Sequence, residues 1–243
     1  MGKSKQSKIS VLDRGHDFSI TQSLQRKTQR SERVEDKEKT QEDCVDETSI
    51  NETNLKKEIE IGLDISTAVV GIVGLTKEGH FEFMEHVKFS AKQDSLWLKA
   101  DEIEKRLLEL EKKYQVKRVF VEASAKGFSP GFSSADTLFT LAKFNGIVSY
   151  IARRVFSGTT IHDINVNSAR KAAGIKVNRS DKTRSTKEQV FDAVRAAYPN
   201  FPWLTHTAKN GKHKGKVVFD KENYDRCDAW VICRGGQLTT PSN

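Results

Sequence analysis

The chain reads IEIGLDI over residues 59–65 and VVGIVGL over residues 69–75. The first stretch alternates and the second is almost continuously apolar, which is typical of paired β-strands. Ser66 and Thr67 lie at the short turn between them, so the two stretches predict a β-hairpin. Asp64 places a carboxylate inside the first strand. Burying a carboxylate there costs several kcal/mol unless a cation or hydrogen-bond donors accompany it.

Further strands and helices follow this hairpin. The sequence predicts strands at residues 81–87, 116–121 and 159–164, and helices at residues 94–114, 135–155, 169–173, 187–197 and 221–234. This order predicts an α/β fold with a five-stranded mixed β-sheet flanked by helices on both faces. Asn167 or Ser168 is expected to cap the short helix, and Gly235-Gly236 to end the last one.

The N-terminal segment, residues 1–57, has a different composition. It carries twelve Lys or Arg against eleven Asp or Glu, with one aromatic residue and no proline. So little apolar surface does not offset the entropy of ordering a segment, and we expect a disordered tail. The folded domain is predicted over residues 58–237, with a short tail at 238–243. A basic insertion at about residues 200–219 is expected to form a loop or a β-hairpin.

Composition and motifs exclude several classes of protein. No apolar run approaches the roughly 18 residues of a membrane span, so neither a membrane protein nor a membrane partner is expected. The three cysteines lack CxxC spacing, which argues against a disulfide scaffold or a structural zinc site. Nucleotide-binding glycine motifs are missing, so no small-molecule cofactor is expected. We therefore expect a soluble intracellular protein of a reducing compartment.

Four acidic residues carry the main chemical signal. Asp64 lies in the first strand, Glu122 ends the strand at 116–121, and Asp225 and Asp228 lie three apart on the last helix. Oxygen donors without His or Cys suit Mg²⁺ or Mn²⁺, and two such ions can promote phosphodiester hydrolysis. Each acid alone is better explained by a helix cap, a strand-end residue in water, a helix N-terminal charge or an ion pair. Together they favour a metal site.

Residues 62–66 (GLDIS) resemble the first-strand motif of the RNase H-like nucleases and, among these, the RuvC-type Holliday junction resolvases. Residues 134–146 and 185–190 are similar to further segments of that family, and the resemblance covers about residues 59–236. It implies an RNase H-like fold in which the four acids bind two Mg²⁺ ions, for which Mn²⁺ can substitute. It also implies that Lys187 stabilises charge near the scissile phosphate.

The same resemblance implies an activity. RuvC-type resolvases are homodimers that cut four-way DNA junctions by symmetric paired nicks in recombination and repair, and the apolar helix 138–151 is the expected contact surface. Asp64 would bridge the two ions, and Glu122 and Asp228 would complete their coordination. Asp225 would be a further ligand or a base. The long spacing from Glu122 to Asp225 suits a viral or phage member of the family.

Positive charge is concentrated in one part of the chain. Residues 170–216 contain twelve Lys or Arg against three acids, a net +9, whereas the whole chain has a net charge of +8. Such an excess attracts nucleic-acid phosphates. The residues predicted to bind DNA are Lys143, Arg170, Lys171, Lys176, Arg179, Lys182 and Arg184. For residues 209–216 (KNGKHKGK), DNA contact and a solubilising loop are equal alternatives.

Two phenylalanines are the remaining candidates for DNA contact. Phe128 and Phe132 lie in a glycine- and serine-rich loop after Glu122. An aromatic residue here resembles the RuvC-type feature that stacks on bases at an opened junction, worth about 1–3 kcal/mol per base. The alternative is a hydrophobic contact with the following helix. Trp97 and Trp230 are expected in the core.

Two other functions remain open from the sequence. The same site would also serve a nuclease for flap or branched DNA or for an RNA–DNA hybrid. The fold would also serve a non-catalytic nucleic-acid-binding protein. The presence of all four acids favours an enzyme, because carboxylates facing phosphate would weaken a simple binder.

Overall fold

The computed structural model describes residues 55–123 and 134–241. The predicted N-terminal tail therefore lies almost entirely outside the described residues. The first strand begins at Lys57, and the last helix ends at Thr239, so regular structure extends slightly beyond the predicted domain limits at both ends.

A five-stranded mixed β-sheet forms the centre of the fold, with the strand order β3-β2-β1-β4-β5. The strands are β1 (Lys57–Ile65), β2 (Val69–Leu75), β3 (Phe81–Lys88), β4 (Tyr114–Glu122) and β5 (Thr160–Ile164). β2 runs antiparallel to β1 and β3, whereas β1, β4 and β5 are parallel to one another. The carboxyl ends of β1, β4 and β5 therefore lie at one edge of the sheet. The predicted hairpin and mixed sheet are confirmed.

Helices cover both faces of the sheet, as predicted. They are α1 (Leu96–Lys113), α2 (Ala135–Val155), α3 (Val166–Ala172), α4 (Thr186–Ala197) and α5 (Glu222–Thr239). Val121 belongs to a core that includes Ile103 of α1 and Phe144 of α2. Its neighbour Phe120 belongs to the opposite core, which includes Ile232 of α5, because successive strand residues point to opposite faces. Among the described helices, none is long and apolar enough to cross a membrane.

The last helix is longer than the sequence predicts. α5 continues through Gly235 and Gly236, and both residues are buried. A Cβ on Gly235 would lie 2.4 Å from the Cα of Ala169, and a Cβ on Gly236 would lie 2.4 Å from the Phe120 ring. The prediction that this pair ends the helix is wrong, because the glycines permit close packing of α5 on α3 and β4 instead of a turn.

The cap of α3 also differs from the prediction. Asn165 precedes the helix, and its side-chain oxygen accepts hydrogen bonds from the backbone N–H groups of Asn167 and Ser168. The two residues predicted as caps are therefore the ones whose N–H groups are capped.

The two helix tryptophans have different surroundings. Trp230 is buried, as expected. Trp97 is 62% exposed, and the Lys143 ammonium lies 5.7 Å from the centroid of its ring. The core prediction for Trp97 is wrong, because the face of α1 that packs on the core carries Leu96, Ala100 and Ile103, and Trp97 lies off that face.

The basic insertion contains a β-hairpin, the second of the two predicted alternatives. β6 (Thr205–Thr207) pairs antiparallel with β7 (Val217–Phe219) in a separate two-stranded sheet. The connecting loop, residues 208–216, contains the KNGKHKGK sequence. We call β6, β7 and this loop the basic hairpin.

We expect Gly235→Ala to destabilise the protein, although alanine is the better helix former. The added methyl group would collide with Ala169, and such overpacking costs about 1–3 kcal/mol. Asp101→Ala on α1 is the matched control, because Asp101 is exposed and its replacement adds no atom to a packed contact. It should gain up to about 1 kcal/mol from helix propensity. Urea unfolding at one protein concentration measures the free energy of unfolding of Gly235→Ala and of the control variant. Equal stability of these two variants would contradict the packing argument.

Candidate active site

Parallel pairing of β1 and β4 brings two of the acids to the same edge. Leu63 pairs with Val121, so Asp64 and Glu122 follow side by side at the carboxyl ends of their strands. Asp225 and Asp228 lie on α5, about one turn apart on one face. We call Asp64, Glu122, Asp225 and Asp228 the acid cluster.

Two glycines allow α5 to lie directly on the sheet beside these strand ends. A Cβ on Gly62 would lie 2.3 Å from the carbonyl oxygen of Ala229. A Cβ on Gly71 would lie 2.2 Å from the carbonyl oxygen of Asp225. The backbone of α5 therefore touches β1 and β2, which explains why glycine lies two residues before Asp64.

The acid cluster is largely buried. Asp64 and Asp228 are only 8% and 6% exposed. Burial raises the pKa of Asp64 well above its usual value, and the neighbouring charge of Asp228 raises it further. Burial also raises the pKa of Asp228, and it raises that of Glu122 with the help of the Asp228 charge. Such mutual effects require nearby carboxylates, so the four acids form one electrostatic unit.

Two cations compensate part of this negative charge. Lys187 Nζ lies 2.7 Å from Oδ1 of Asp225 and 3.6 Å from Oδ2 of Asp228. Arg170 Nη2 lies 3.4 Å from Oδ1 of Asp228. Burial alone would lower the pKa of Lys187, but the hydrogen bond to Asp225 and the charges of Asp228 and Asp64 outweigh it and raise this pKa to about 12. Lys187 is therefore a cation at neutral pH and does not act as a base.

The donors of the acid cluster fit hard divalent cations. All four are carboxylates, the ligands that Mg²⁺ and Mn²⁺ prefer. Their buried charge is matched only in part by Lys187 and Arg170. As the side chains are oriented, no three acidic, His or Cys side chains within residues 55–123 and 134–241 converge closely enough to hold one metal ion. Lys187 and Arg170 instead engage the carboxylate oxygens of Asp225 and Asp228.

Asn145 is a site residue whose role the sequence did not reveal. Its Nδ2 donates a hydrogen bond of 3.0 Å to the carbonyl oxygen of Glu122, and its Oδ1 accepts one from Ser149. This contact ties the end of β4 to α2 and so fixes the backbone that carries Glu122. The available signal was an amide next to Phe144, on the part of the helix that faces the core.

Four of the predicted DNA-binding residues lie together. Arg170, Lys171, Lys176 and Arg179 line a cavity of about 310 Å³ that Thr186, the first residue of α4, also lines. We call this cavity the basic pocket. Because Arg170 also contacts Asp228, the basic pocket adjoins the acid cluster.

The other predicted contacts are not part of this pocket. Arg184 pairs with two neighbouring aspartates, Lys143 lies over an exposed aromatic ring, and Lys182 is exposed. Phe128 and Phe132 lie outside the described residues.

Comparisons with known proteins concern the fold. No protein-family model matches the sequence, and no curated protein is significantly similar to it. Solved structures with a similar fold include Thermus thermophilus RuvC in complex with a Holliday junction substrate, at a TM-score of 0.48 and 15% identity over 74% of this chain and 93% of that chain. A further Thermus thermophilus RuvC structure has a TM-score of 0.46 and 18% identity over the same shares. The yeast mitochondrial Holliday junction resolvase has a TM-score of 0.46 and 10% identity over 76% of this chain and 79% of that chain.

The chain has the α/β architecture that its sequence predicted, a five-stranded mixed sheet between two layers of helices.

Asp64→Asn should stabilise the protein at high pH in the absence of divalent cations. A carboxyl whose pKa is raised by folding contributes stability that is present below its unfolded pKa of about 4. This stability is lost as the pH rises through the higher folded pKa. At pH 8 in EDTA, the free energy of unfolding of the variant should exceed that of wild type, because each unit by which folding raises the pKa of Asp64 costs about 1.4 kcal/mol once the carboxyl is ionised.

Urea unfolding between pH 4 and pH 8 measures this difference, which should shrink toward pH 4. Asp101→Asn is the control for the loss of one negative charge, because Asp101 is an exposed acid of α1. A difference between Asp64→Asn and wild type that does not change with pH would contradict the raised pKa of Asp64.

Proposed function

We propose that the protein is a metal-dependent, structure-specific DNA endonuclease that resolves four-way (Holliday) junctions by symmetric paired nicks. One observation carries the proposal: a cluster of four carboxylates, two of them buried and two half-buried, lies directly beside a pocket lined by four cationic side chains. Carboxylates of this kind hold divalent cations, and a basic pocket attracts phosphates. Phosphodiester hydrolysis by two metal ions needs both.

The choice of a four-way junction as substrate rests on sequence motifs. Residues 62–66, 134–146 and 185–190 resemble the RuvC-type resolvases, and they belong to β1, α2 and the start of α4, the elements that surround the acid cluster. The cleavage assay described below distinguishes a four-way junction from the alternative substrates, which are a flap, another branched DNA and an RNA–DNA hybrid.

The four acids would hold two Mg²⁺ ions, for which Mn²⁺ could substitute. When bound, these ions would lower the pKa of the attacking water and neutralise charge on the leaving oxygen. Asp64 is the central member of the cluster, because the charges of Asp228, Glu122 and Asp225 all raise its pKa. This position fits a residue shared between two cations.

Lys187 would act on the phosphate. Its side chain is 51% exposed, and its ammonium is held between Asp225 and Asp228. Once cations neutralise these carboxylates, the ammonium is free to turn toward a phosphate and to stabilise its developing negative charge. Ser185 and Glu188 form a capping box that fixes the first turn of α4, the turn that carries Lys187.

A homodimer would supply the two active sites that paired nicks need. α2 offers a suitable face, since Phe139 and Tyr150 are 74% and 66% exposed. Lys143 and Gly146 are exposed on the same side of the helix between them. This surface falls within residues 138–151, the contact predicted from the sequence.

A cleavage assay with Mg²⁺ tests the proposed activity. Wild type should cut a synthetic four-way junction in preference to flap, duplex and RNA–DNA hybrid substrates. Asp64→Asn should lower the cleavage rate at least about 100-fold, because it removes the central carboxylate. The variant should still bind the junction, since the loss of a negative charge does not weaken attraction to phosphate.

Asp101→Asn on α1 is the matched control and should cut normally. Undiminished cleavage by Asp64→Asn would refute the proposed mechanism. Stronger cleavage of a flap or hybrid would keep the nuclease and replace its substrate. Binding without any cleavage by wild type would favour the non-catalytic alternative.

We expect the double variant Phe139→Glu with Tyr150→Glu to be monomeric. Two carboxylates on each copy would have to be buried against their counterparts, which is unfavourable. Sedimentation would show the change in mass, and the variant should nick single strands instead of making paired cuts. Leu238→Glu, at an exposed position of α5, is the control. A double variant that stays dimeric would contradict this interface.

A further inference from the structure

The basic hairpin is the most strongly charged exposed feature that the proposed mechanism does not use. Its loop carries Lys209, Lys212, Lys214 and Lys216, all exposed. No acidic residue lies between Ala208 and Phe219. The sequence alone left two alternatives for this stretch, a solubilising loop or a DNA contact. The structure provides four observations that favour the second.

The hairpin is firmly attached to the fold. Asn223 of α5 is fully buried, and its side chain both donates to the carbonyl oxygen of Leu204 at 2.8 Å and accepts from the N–H of Leu204 at 3.2 Å. Phe219 packs against Phe191 of α4, with ring centroids 5.1 Å apart, and the Arg195 guanidinium lies over its ring. The base of the hairpin is therefore held by α4, which carries Lys187, and by α5, which carries Asp225 and Asp228.

The loop has its own fixed backbone. The N–H of Ala208 donates to Lys216 at 2.9 Å, and the N–H of Gly215 donates to Ala208 at 2.8 Å. Gly211 and Gly215 have φ angles of 76° and 80°, a left-handed conformation that glycine adopts without strain. Four ammonium groups are thus presented from an ordered turn, which lowers the entropy lost when they bind a partner.

The charge of the loop is not neutralised by the protein itself. Lysines elsewhere pair with glutamates, for example Lys56, Lys57, Lys88 and Lys117. Within the part of the chain that the structure describes, none of the four loop lysines forms a salt bridge. An uncompensated cluster of ammonium groups favours a polyanionic partner.

The hairpin also lies close to the acid cluster along the chain. Four positions lead along the chain from Lys216 to Asp220, and five more lead to Asp225 in the first turns of α5. At about 3.3 Å per strand residue and about 1.5 Å per helical residue, the backbone of Lys216 lies within roughly 25 Å of Asp225. A distance of roughly 25 Å is the length of about seven base pairs of duplex, at about 3.4 Å each.

We infer that the basic hairpin binds the phosphate backbone of a duplex arm that flanks the acid cluster. The inference rests on the proposed function and adds a second DNA contact, separate from the basic pocket. Ammonium groups on flexible stems bind phosphates as point charges, so the contact is independent of base sequence. The hairpin thereby increases affinity and fixes the position of the arm, while the acid cluster performs the cleavage.

Junction binding in EDTA at a series of salt concentrations tests this inference. Replacing all four loop lysines by Gln should weaken binding at least about tenfold near 0.1 M salt. It should also reduce the slope of log K against log salt by about 0.9 for each lost phosphate contact. Replacing the same four residues by Arg should preserve both the affinity and the slope, because the positive charge is kept.

The matched control replaces Lys92, Lys105, Lys112 and Lys113 by Gln, which removes the same charge from exposed sites outside the hairpin. An equal loss in this control would show that only net charge matters and would overturn the inference. Unchanged binding by the loop variant would also overturn it, while wild-type cleavage of junctions would leave the proposed function intact. A loop-dependent slope without any cleavage would support the inference and refute the nuclease. A wild type that binds no nucleic acid would refute both.

Discussion

The close approach of α5 to the sheet is the constraint on which the candidate site depends. Asp228 can share an electrostatic environment with Asp64 only if the helix backbone touches β1 and β2. Gly62 and Gly71 make that contact possible, since a Cβ at either position would lie within about 2.3 Å of a carbonyl oxygen of the helix. Gly235 and Gly236 extend the same close packing toward the far end of α5. Three of these glycines admit α5 to the sheet, and Gly235 admits it to α3.

The packing of α5 on the sheet also determines how the charge of the acid cluster is balanced. Burial and the neighbouring carboxylates raise the pKa values of Asp64, Glu122 and Asp228, which is unfavourable for folding without cations. Lys187 and Arg170 supply part of the compensation from α4 and α3. The basic pocket and the basic hairpin then surround a negative centre with positive potential. In such an arrangement, the positive charge of the basic pocket and the basic hairpin would hold a polyanion by its phosphates. The carboxylates at the centre would hold the divalent cations that cleave it.

Much of the fold could be predicted from local patterns. The hairpin of β1 and β2, the bounds of α2 and the acid-bearing strand ends follow from apolar periodicity, which depends only on near neighbours along the chain. Predictions that needed long-range information were wrong. Gly235-Gly236 is typical of a helix end, yet it lies inside α5 because Ala169 and Phe120 occupy the space of its missing side chains. Trp97 looks like a core residue of α1 by its type, yet it lies off the face of that helix that packs on the sheet.

The candidate site, like the fold, could be predicted only in part from the sequence. The sequence by itself determined which residue types are present, including the four acids, Lys187 and the concentration of positive charge in residues 170–216. Only the tertiary structure decided that Arg170 faces Asp228, that Asn145 holds the end of β4, and that the loop lysines are presented from an anchored hairpin. The physical reason is that local propensity acts between neighbours in the chain. Burial, pKa and ion pairing depend instead on contacts between residues far apart in sequence, which form only when the helices pack on the sheet.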